Sequence, residues 1–252
     1  MVVRTDIAKS WLKRNNPIMT EELFRADSYL KSCDAHIVAI ENNEIVLDKT
    51  VFYPEGGGQP GDQGVLTTAD GRRFAVTDTR KDPQGNIRHV VEFSEPFGDK
   101  DVALKAEVDW GRRYHYMRTH TCLHLLCSII PHPVTGGSIS LEKGRLDFDM
   151  TETIDKQEVE SRLQALIAED HPVGFRWISD EEMQSKMELV RTMSVAPPMG
   201  QGRVRLIEVD GVDLQPCGGT HVSRTGEIGG VRIGKVEKKG KHNRRVNLHL
   251  ET

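Results

Sequence analysis

The hydrophobic period of the chain changes near residue 110, and that change limits the folds open to it. Up to Trp110 the apolar residues fall into short alternating runs: AHIVAI (35–40), EIVLD (44–48), RFAVTD (73–78), IRHVVEF (from Ile87) and VALKAEVDW (102–110). Asn-Asn, Gly-rich and Asp-Pro punctuation separates them. Period-two runs bounded by turn residues read as half-buried strands of a small antiparallel barrel or sandwich. From Gly111, GRRYHYMRTHTCLHLLCSII reads instead as a helix of about five turns, stopped by Pro131. An all-β half followed by an α+β half is the expected organisation. It divides the chain into an N-terminal arm (1–19), a β-barrel unit (20–110) and an α+β unit (111–252).

Other elements carry end signals. TEELFRADSYL reads as a short helix with Thr20 as N-cap. GSISLEKGRLDFDM is strand-like around a Glu-Lys-Gly turn. Asp155 with Glu158 caps a second long helix, and Ser179 with Glu182 a short third one. VRLIEVDGVDLQP and GGVRIGKVEKKG read as strands flanking the string PCGGTH. Inside the first half, FYPEGGGQPGDQG (52–64) is too glycine-rich for helix or strand. It is either a long turn or a loop whose backbone approaches a ligand closely.

The helix from Gly111 places Tyr116, His120, Leu123, His124 and Cys127 on one face. His120 and His124, at i and i+4, can bridge one metal ion, the device used by HExxH. The general-base glutamate of that motif is absent here, which disfavours a zincin-type protease. Cys217 and His221 form a second pair around Gly218 and Gly219. Alone, it reads equally as a nucleophile with its base. Together the four residues are a complete set of N and S ligands suited to Zn²⁺. Four protein ligands suit a structural site, whereas three plus water suit a catalytic one; the spacing leaves both open. His115 and His132 fall off the helix register or beyond its end, and Cys122 and Cys127 read as packing residues.

Composition removes several classes. With 37% hydrophobic and 29% charged residues, the chain reads as a globular protein, and no run approaches the ~20 apolar residues of a membrane span. The first residues lack the apolar core of a secretory signal, so a cytoplasmic location is expected. Four cysteines are too few and too irregular for a disulfide framework. There is no GK[ST] or GxGxxG string, so no nucleotide cofactor is expected. The net charge of -4 argues against nucleic-acid binding over the whole surface, but residues 231–245 hold seven Lys or Arg against one Glu.

Four strings, LDKTVFYPEGGGQPGDQG (47–64), MRTHTCLHLL (117–126), QPCGGTHVSRTGEIG (215–229) and KKGKHNRR (238–245), occur in an order that resembles the freestanding alanyl-tRNA editing proteins of the AlaX type. These are relatives of the alanyl-tRNA synthetase editing domain. The resemblance runs from about residue 20 onward. With no long extension after Thr252, it points to the medium-length type. It implies a glycine-rich barrel followed by a zinc-containing α+β editing domain like those of alanyl- and threonyl-tRNA synthetases. It implies one Zn²⁺ on His120, His124, Cys217 and His221. The implied activity is hydrolysis of Ser-tRNA(Ala), with Gly-tRNA(Ala) as second substrate and Ala-tRNA(Ala) spared. By position Thr50 matches a threonine that helps select the serine hydroxyl, and Gly56, Gly57, Gly58 and Gln59 match the glycine-rich motif. Lys238, Lys239, Lys241, Arg244 and Arg245 are the expected tRNA contacts. The partner is the acceptor end of aminoacyl-tRNA, and the chain is expected to be a monomer or weak dimer. Ser-tRNA(Thr) editing and a non-catalytic zinc-stabilised RNA-binding module are the alternatives.

Overall fold

The computed structural model describes residues 20–92, 102–193 and 202–251; the N-terminal arm lies outside them. A short parallel ladder, β1 (Glu21–Glu22) against β4 (Lys49–Thr50), leads into a closed antiparallel barrel. The barrel strands are β2 (Ser32–Glu41), β3 (Glu44–Leu47), β5 (Gly64–Thr68), β6 (Arg73–Lys81), β7 (Ile87–Val91) and β8 (Ala103–Val108), in the order β2-β3-β7-β6-β5-β8. Alternation is strict in β8, where Leu104, Ala106 and Val108 are buried and Lys105 and Glu107 exposed. Closure leaves no unpaired strand edge. Ile37, Ile45, Leu47, Leu66, Val76 and Val91 fill the interior.

Asp109 then caps the helix Trp110–Ile129, its carboxylate accepting from Arg112 N–H at 3.1 Å. The helix is buried on most of its circumference. It packs with a second helix, Lys156–Ala168, and with a four-stranded antiparallel sheet. That sheet contains β9 (Val134–Ile139), β10 (Gly144–Asp149), β14 (Val231–Lys238) and β15 (Asn243–Leu250), ordered β14-β15-β10-β9. Asp155 accepts from Gln157 and Glu158 N–H, and Ser179 from Glu182 N–H. A three-stranded sheet completes the fold: β11 (Val173–Ser179), β12 (Arg203–Val209) and β13 (Asp213–Pro216) in that order. The architecture is α+β with a closed barrel, as the periodicity predicts.

One expectation changes and three strands are added. Thr20 does not cap a helix: its hydroxyl donates to Leu47 O at 2.8 Å, Glu21 and Glu22 pair with β4, and only Leu23–Ala26 is helical. β5, β11 and β15 were not read as strands, because GVLTT is short and the other two carry charged or irregular patterns. The basic run 231–245 spans the edge strand β14, the turn after it and the start of β15, which runs between β14 and β10.

Arg113 joins the two halves. It is fully buried on the long helix, forms an ion pair with Asp62, and donates to Val51 O at 2.6 Å and Ser28 O at 3.0 Å. Asp62 also accepts from Tyr53 N–H at 2.6 Å. A buried guanidinium is tolerated because nearly all its donors are taken by a carboxylate and backbone carbonyls. The glycine-rich loop is therefore anchored to the helix that carries His120.

Candidate metal centre and its pocket

One turn of helix stacks His120 above His124, and the segment after β13 brings Cys217 and His221 to meet them. Ligand atoms from all four lie within 4.8 Å of one another. Cys217 Sγ is 3.5 Å from His120 Nε2 and 3.3 Å from His221 Nε2. All three imidazoles are buried.

The far nitrogen of each ring has its own partner. His120 Nδ1 lies 2.9 Å from Gln59 Oε1, His124 Nδ1 3.1 Å from Asp213 Oδ2, and His221 Nδ1 3.2 Å from Thr121 Oγ1. Occupying Nδ1 fixes ring orientation and presents Nε2 inward, the arrangement typical of metal-ligating histidines. Gln59 is itself held by Thr220, whose N–H and hydroxyl meet the two ends of its amide at 3.2 and 2.8 Å. Asp213 is held by Gln215 Nε2 at 2.6 Å. Burial would raise the Cys217 thiol, but the charges of His120 and His221 and hydrogen bonds from His120 and His124 outweigh it and hold it well below its ordinary value. Burial would lower His124, but its hydrogen bonds to Asp213 and Cys217 raise it to about 9. Thiolate sulfur and inward-facing imidazole nitrogens suit a borderline divalent ion such as Zn²⁺. By contrast, burial drives Cys122 and Cys127 up to about 12, which makes them unreactive packing residues.

The glycines act through proximity more than through conformational freedom. Gly219 does not have positive φ, yet a β-carbon there would sit 2.5 Å from His120 Nδ1 and 3.0 Å from Gln59 Oε1. Gly58 combines φ +84° with a would-be Cβ 2.7 Å from Gly137 O. Its own carbonyl accepts from Ile139 N–H at 2.8 Å, docking the glycine-rich loop on β9.

A pocket of about 450 Å³ opens beside the cluster, lined by Gly56, Gly57, Gly58, His120, His124 and Cys217 together with β9. Arg25, Lys81, Arg145 and Arg191 also line it, and no sequence signal singles them out. Thr50 does not line it. That residue is fully buried, donating to His89 Nε2 at 2.8 Å and accepting from Phe52 N–H at 3.0 Å. Gln59 lies behind His120 and does not face the open space. Lys238, Lys239 and Lys241 are exposed near the β14–β15 turn and do not line the pocket. The two arginines expected to contact tRNA have partners within the fold, Arg244 buried and Arg245 half-buried. Arg244 is buried and donates to the carbonyls of Thr151 and Glu152, and Arg245 forms a two-pronged pair with Asp147 at 2.8 Å. Asp213 and Thr121 were missed as partners of the ligands, although each sits within a motif already quoted.

Residues 204–247 match the family described as the threonyl and alanyl tRNA synthetase second additional domain, and residues 18–112 match that described as class II (A) tRNA synthetases. The chain is 37% identical to the alanyl-tRNA editing protein AlaX-M of Methanosarcina acetivorans, with 92% of this chain and 99% of that protein covered. It is 38% identical to AlaX-M of Methanosarcina barkeri over the same shares. Identity to AlaX-M of Saccharolobus solfataricus is 35%, over 90% of this chain and 98% of the relative. The chain belongs to the AlaX-M family of alanyl-tRNA editing proteins.

Proposed function

We propose that the chain hydrolyses the ester that joins a mischarged amino acid to tRNA(Ala), taking serine first and glycine second and sparing alanine. The observation that carries this reading is that three of the four clustered side chains, His120, His124 and Cys217, line a pocket of about 450 Å³ whose wall also includes Gly56, Gly57 and Gly58 of the glycine-rich loop. In this reading residues 20–110 supply the loop, residues 111–252 are the zinc-containing editing unit, and residues 1–19 are an arm.

His120, His124, Cys217 and His221 would hold one Zn²⁺, which supplies Lewis acidity toward the ester carbonyl. The reaction adds water across the ester: the acyl carbon gains a hydroxyl and the ribose oxygen leaves with a proton. Cys217 is then a ligand and carries no acyl group. Gln59, Asp213 and Thr121 orient the imidazoles, and the N–H groups of Gly57 and Gly58 meet the aminoacyl moiety. Thr50 acts at one remove, through its hold on Phe52 at the base of the loop. Lys238, Lys239 and Lys241 meet phosphates farther along the tRNA.

A dedicated hydrolase is needed because an alanine pocket discriminates only modestly against one added hydroxyl or one missing methyl. An editing pocket can spare alanine if its buried polar groups are satisfied only by the serine hydroxyl. The test is to measure deacylation of Ser-tRNA(Ala), Gly-tRNA(Ala), Ala-tRNA(Ala) and Ser-tRNA(Thr). The serine ester of tRNA(Ala) should be cleaved fastest and the alanine ester least. Equal rates for those two would refute the reading, and a preference for Ser-tRNA(Thr) would reassign it.

A further inference from the structure

The three-stranded sheet has two unlike faces. Ile178, Val204 and Leu206 pack with Met183 on one. On the other, Trp177 stands opposite Arg205, Phe175 opposite Ile207, and Ile207 opposite Gln215. Cys217 follows two residues after Gln215, and its N–H donates to Arg205 O at 3.1 Å. Because side chains alternate along a strand, Cys217 projects on the same face as Phe175 and Trp177. The face therefore runs from an aromatic edge to a ligand of the candidate metal centre. The crossing is two inter-strand spacings, about 10 Å.

The aromatic edge is open. Phe175 is 43% exposed and Trp177 36%. The Arg203 guanidinium lies 4.4 Å from the Trp177 ring centroid, and that of Arg205 4.7 Å from Phe175. Arg205 is 4% exposed and donates to the carbonyls of Cys217 and Gly219, tying the platform to the loop that carries Cys217. A purely apolar partner would cover Arg203 without supplying an opposite charge. Single-stranded nucleic acid supplies both a stacking surface and phosphates.

We propose that this face receives the unpaired nucleotides that precede the esterified 3′-terminal adenosine, their bases stacking on Phe175 and Trp177 and a phosphate meeting Arg203. The inference rests on the function proposed above and extends it from the pocket to the adjoining strand of the substrate. The β11 backbone beside Trp177 lies two inter-strand spacings, about 10 Å, from that of Cys217; Arg205, Ile207 and Gln215 between them are buried, so the stacked bases sit at the open edge and only the terminal nucleotide enters the pocket.

Binding of uncharged RNA tests this separately from hydrolysis. The tetranucleotide ACCA and uncharged tRNA(Ala) are titrated against the full chain while tryptophan emission is followed. Stacking should quench Trp177. Trp177→Phe should lose that quench yet keep its affinity within about twofold, because a ring remains. Phe175→Ala and Trp177→Ala should each weaken binding by about tenfold, while Phe175→Tyr restores it and so excludes misfolding as the cause. Unchanged RNA affinity in the doubly substituted alanine variant would overturn the proposal. So would a change in sedimentation with affinity intact, which would make this face an interface between copies of the chain. Loss of ester hydrolysis in the wild-type protein with ACCA quenching preserved would count against the catalytic reading and leave the platform standing.

Discussion

Gln59 of the glycine-rich loop accepts a hydrogen bond from Nδ1 of His120 at 2.9 Å, across 61 positions of sequence. The barrel half thereby sets the orientation of a candidate metal ligand in the other half. Gln59→Ala should weaken metal binding about 10- to 100-fold with the fold intact, since orienting partners of ligand histidines contribute on that scale. Asp213→Ala should do the same through His124. A competitive chelator titration measures both; an unchanged affinity would show that the rings are held by packing alone.

Gly219 and Gly57 should respond differently to the same substitution. Gly219→Ala drives a methyl into the His120 ring and Gln59, so metal binding should be lost. Gly57 has φ +58° with open space around its would-be Cβ, so Gly57→Ala carries backbone strain alone, about 1 kcal/mol. Metal affinity and urea midpoints of the two variants separate a steric defect at the site from a general loss of stability.

Much of this was legible in the sequence, and the limits have physical causes. The long helix showed itself because its apolar spacing and Pro131 agree, although its cap, Asp109, and its first residue, Trp110, emerged only in the structure. His120 with His124 and Cys217 with His221 were legible because metal chemistry restricts both residue type and local spacing. The partners on Nδ1 were not, because Gln59, Asp213 and Thr121 meet their rings across 61, 89 and 100 positions. Basic residues differ in a way that sequence does not show. Composition cannot distinguish Lys238, which is exposed, from Arg244, whose guanidinium caps backbone carbonyls inside the fold. β11 alternates in sequence through Val173, Phe175 and Trp177, but its edge position leaves that face largely exposed, so the pattern marks no buried side.

Removing one partner of the Arg113–Asp62 pair should be costly. Asp62→Ala leaves a fully buried guanidinium without its carboxylate, which predicts a loss of about 3–5 kcal/mol. It also releases Tyr53 N–H at the base of the glycine-rich loop. Denaturant unfolding measures the loss. A change below about 1 kcal/mol would mean that the two halves are held together chiefly by apolar packing.

His89 makes barrel stability depend on pH. It is wholly buried, with Nδ1 donating to Ile45 O at 3.0 Å and Nε2 accepting from Thr50, and burial lowers its pKa to about 4. The unfolded chain takes up that proton near 6.5, whereas the folded chain resists it until about 4. The contribution is therefore complete above about pH 6.5 and fades as pH falls toward 4, amounting to about 3 kcal/mol. Urea unfolding at pH 7 and pH 5 should show part of this loss in the wild type. A His89→Gln variant should show a smaller pH dependence; identical slopes would place the effect elsewhere.

Metal dependence of the reaction tests the central claim most directly. The chain is stripped with chelator and re-titrated with Zn²⁺ while the initial rate of Ser-tRNA(Ala) deacylation is followed, with His120→Ala as control. Activity should be absent in the stripped protein, return in proportion to added metal up to one equivalent per chain, and fail to return in His120→Ala with its fold retained. Full deacylation by the stripped protein or by metal-free His120→Ala would contradict the account.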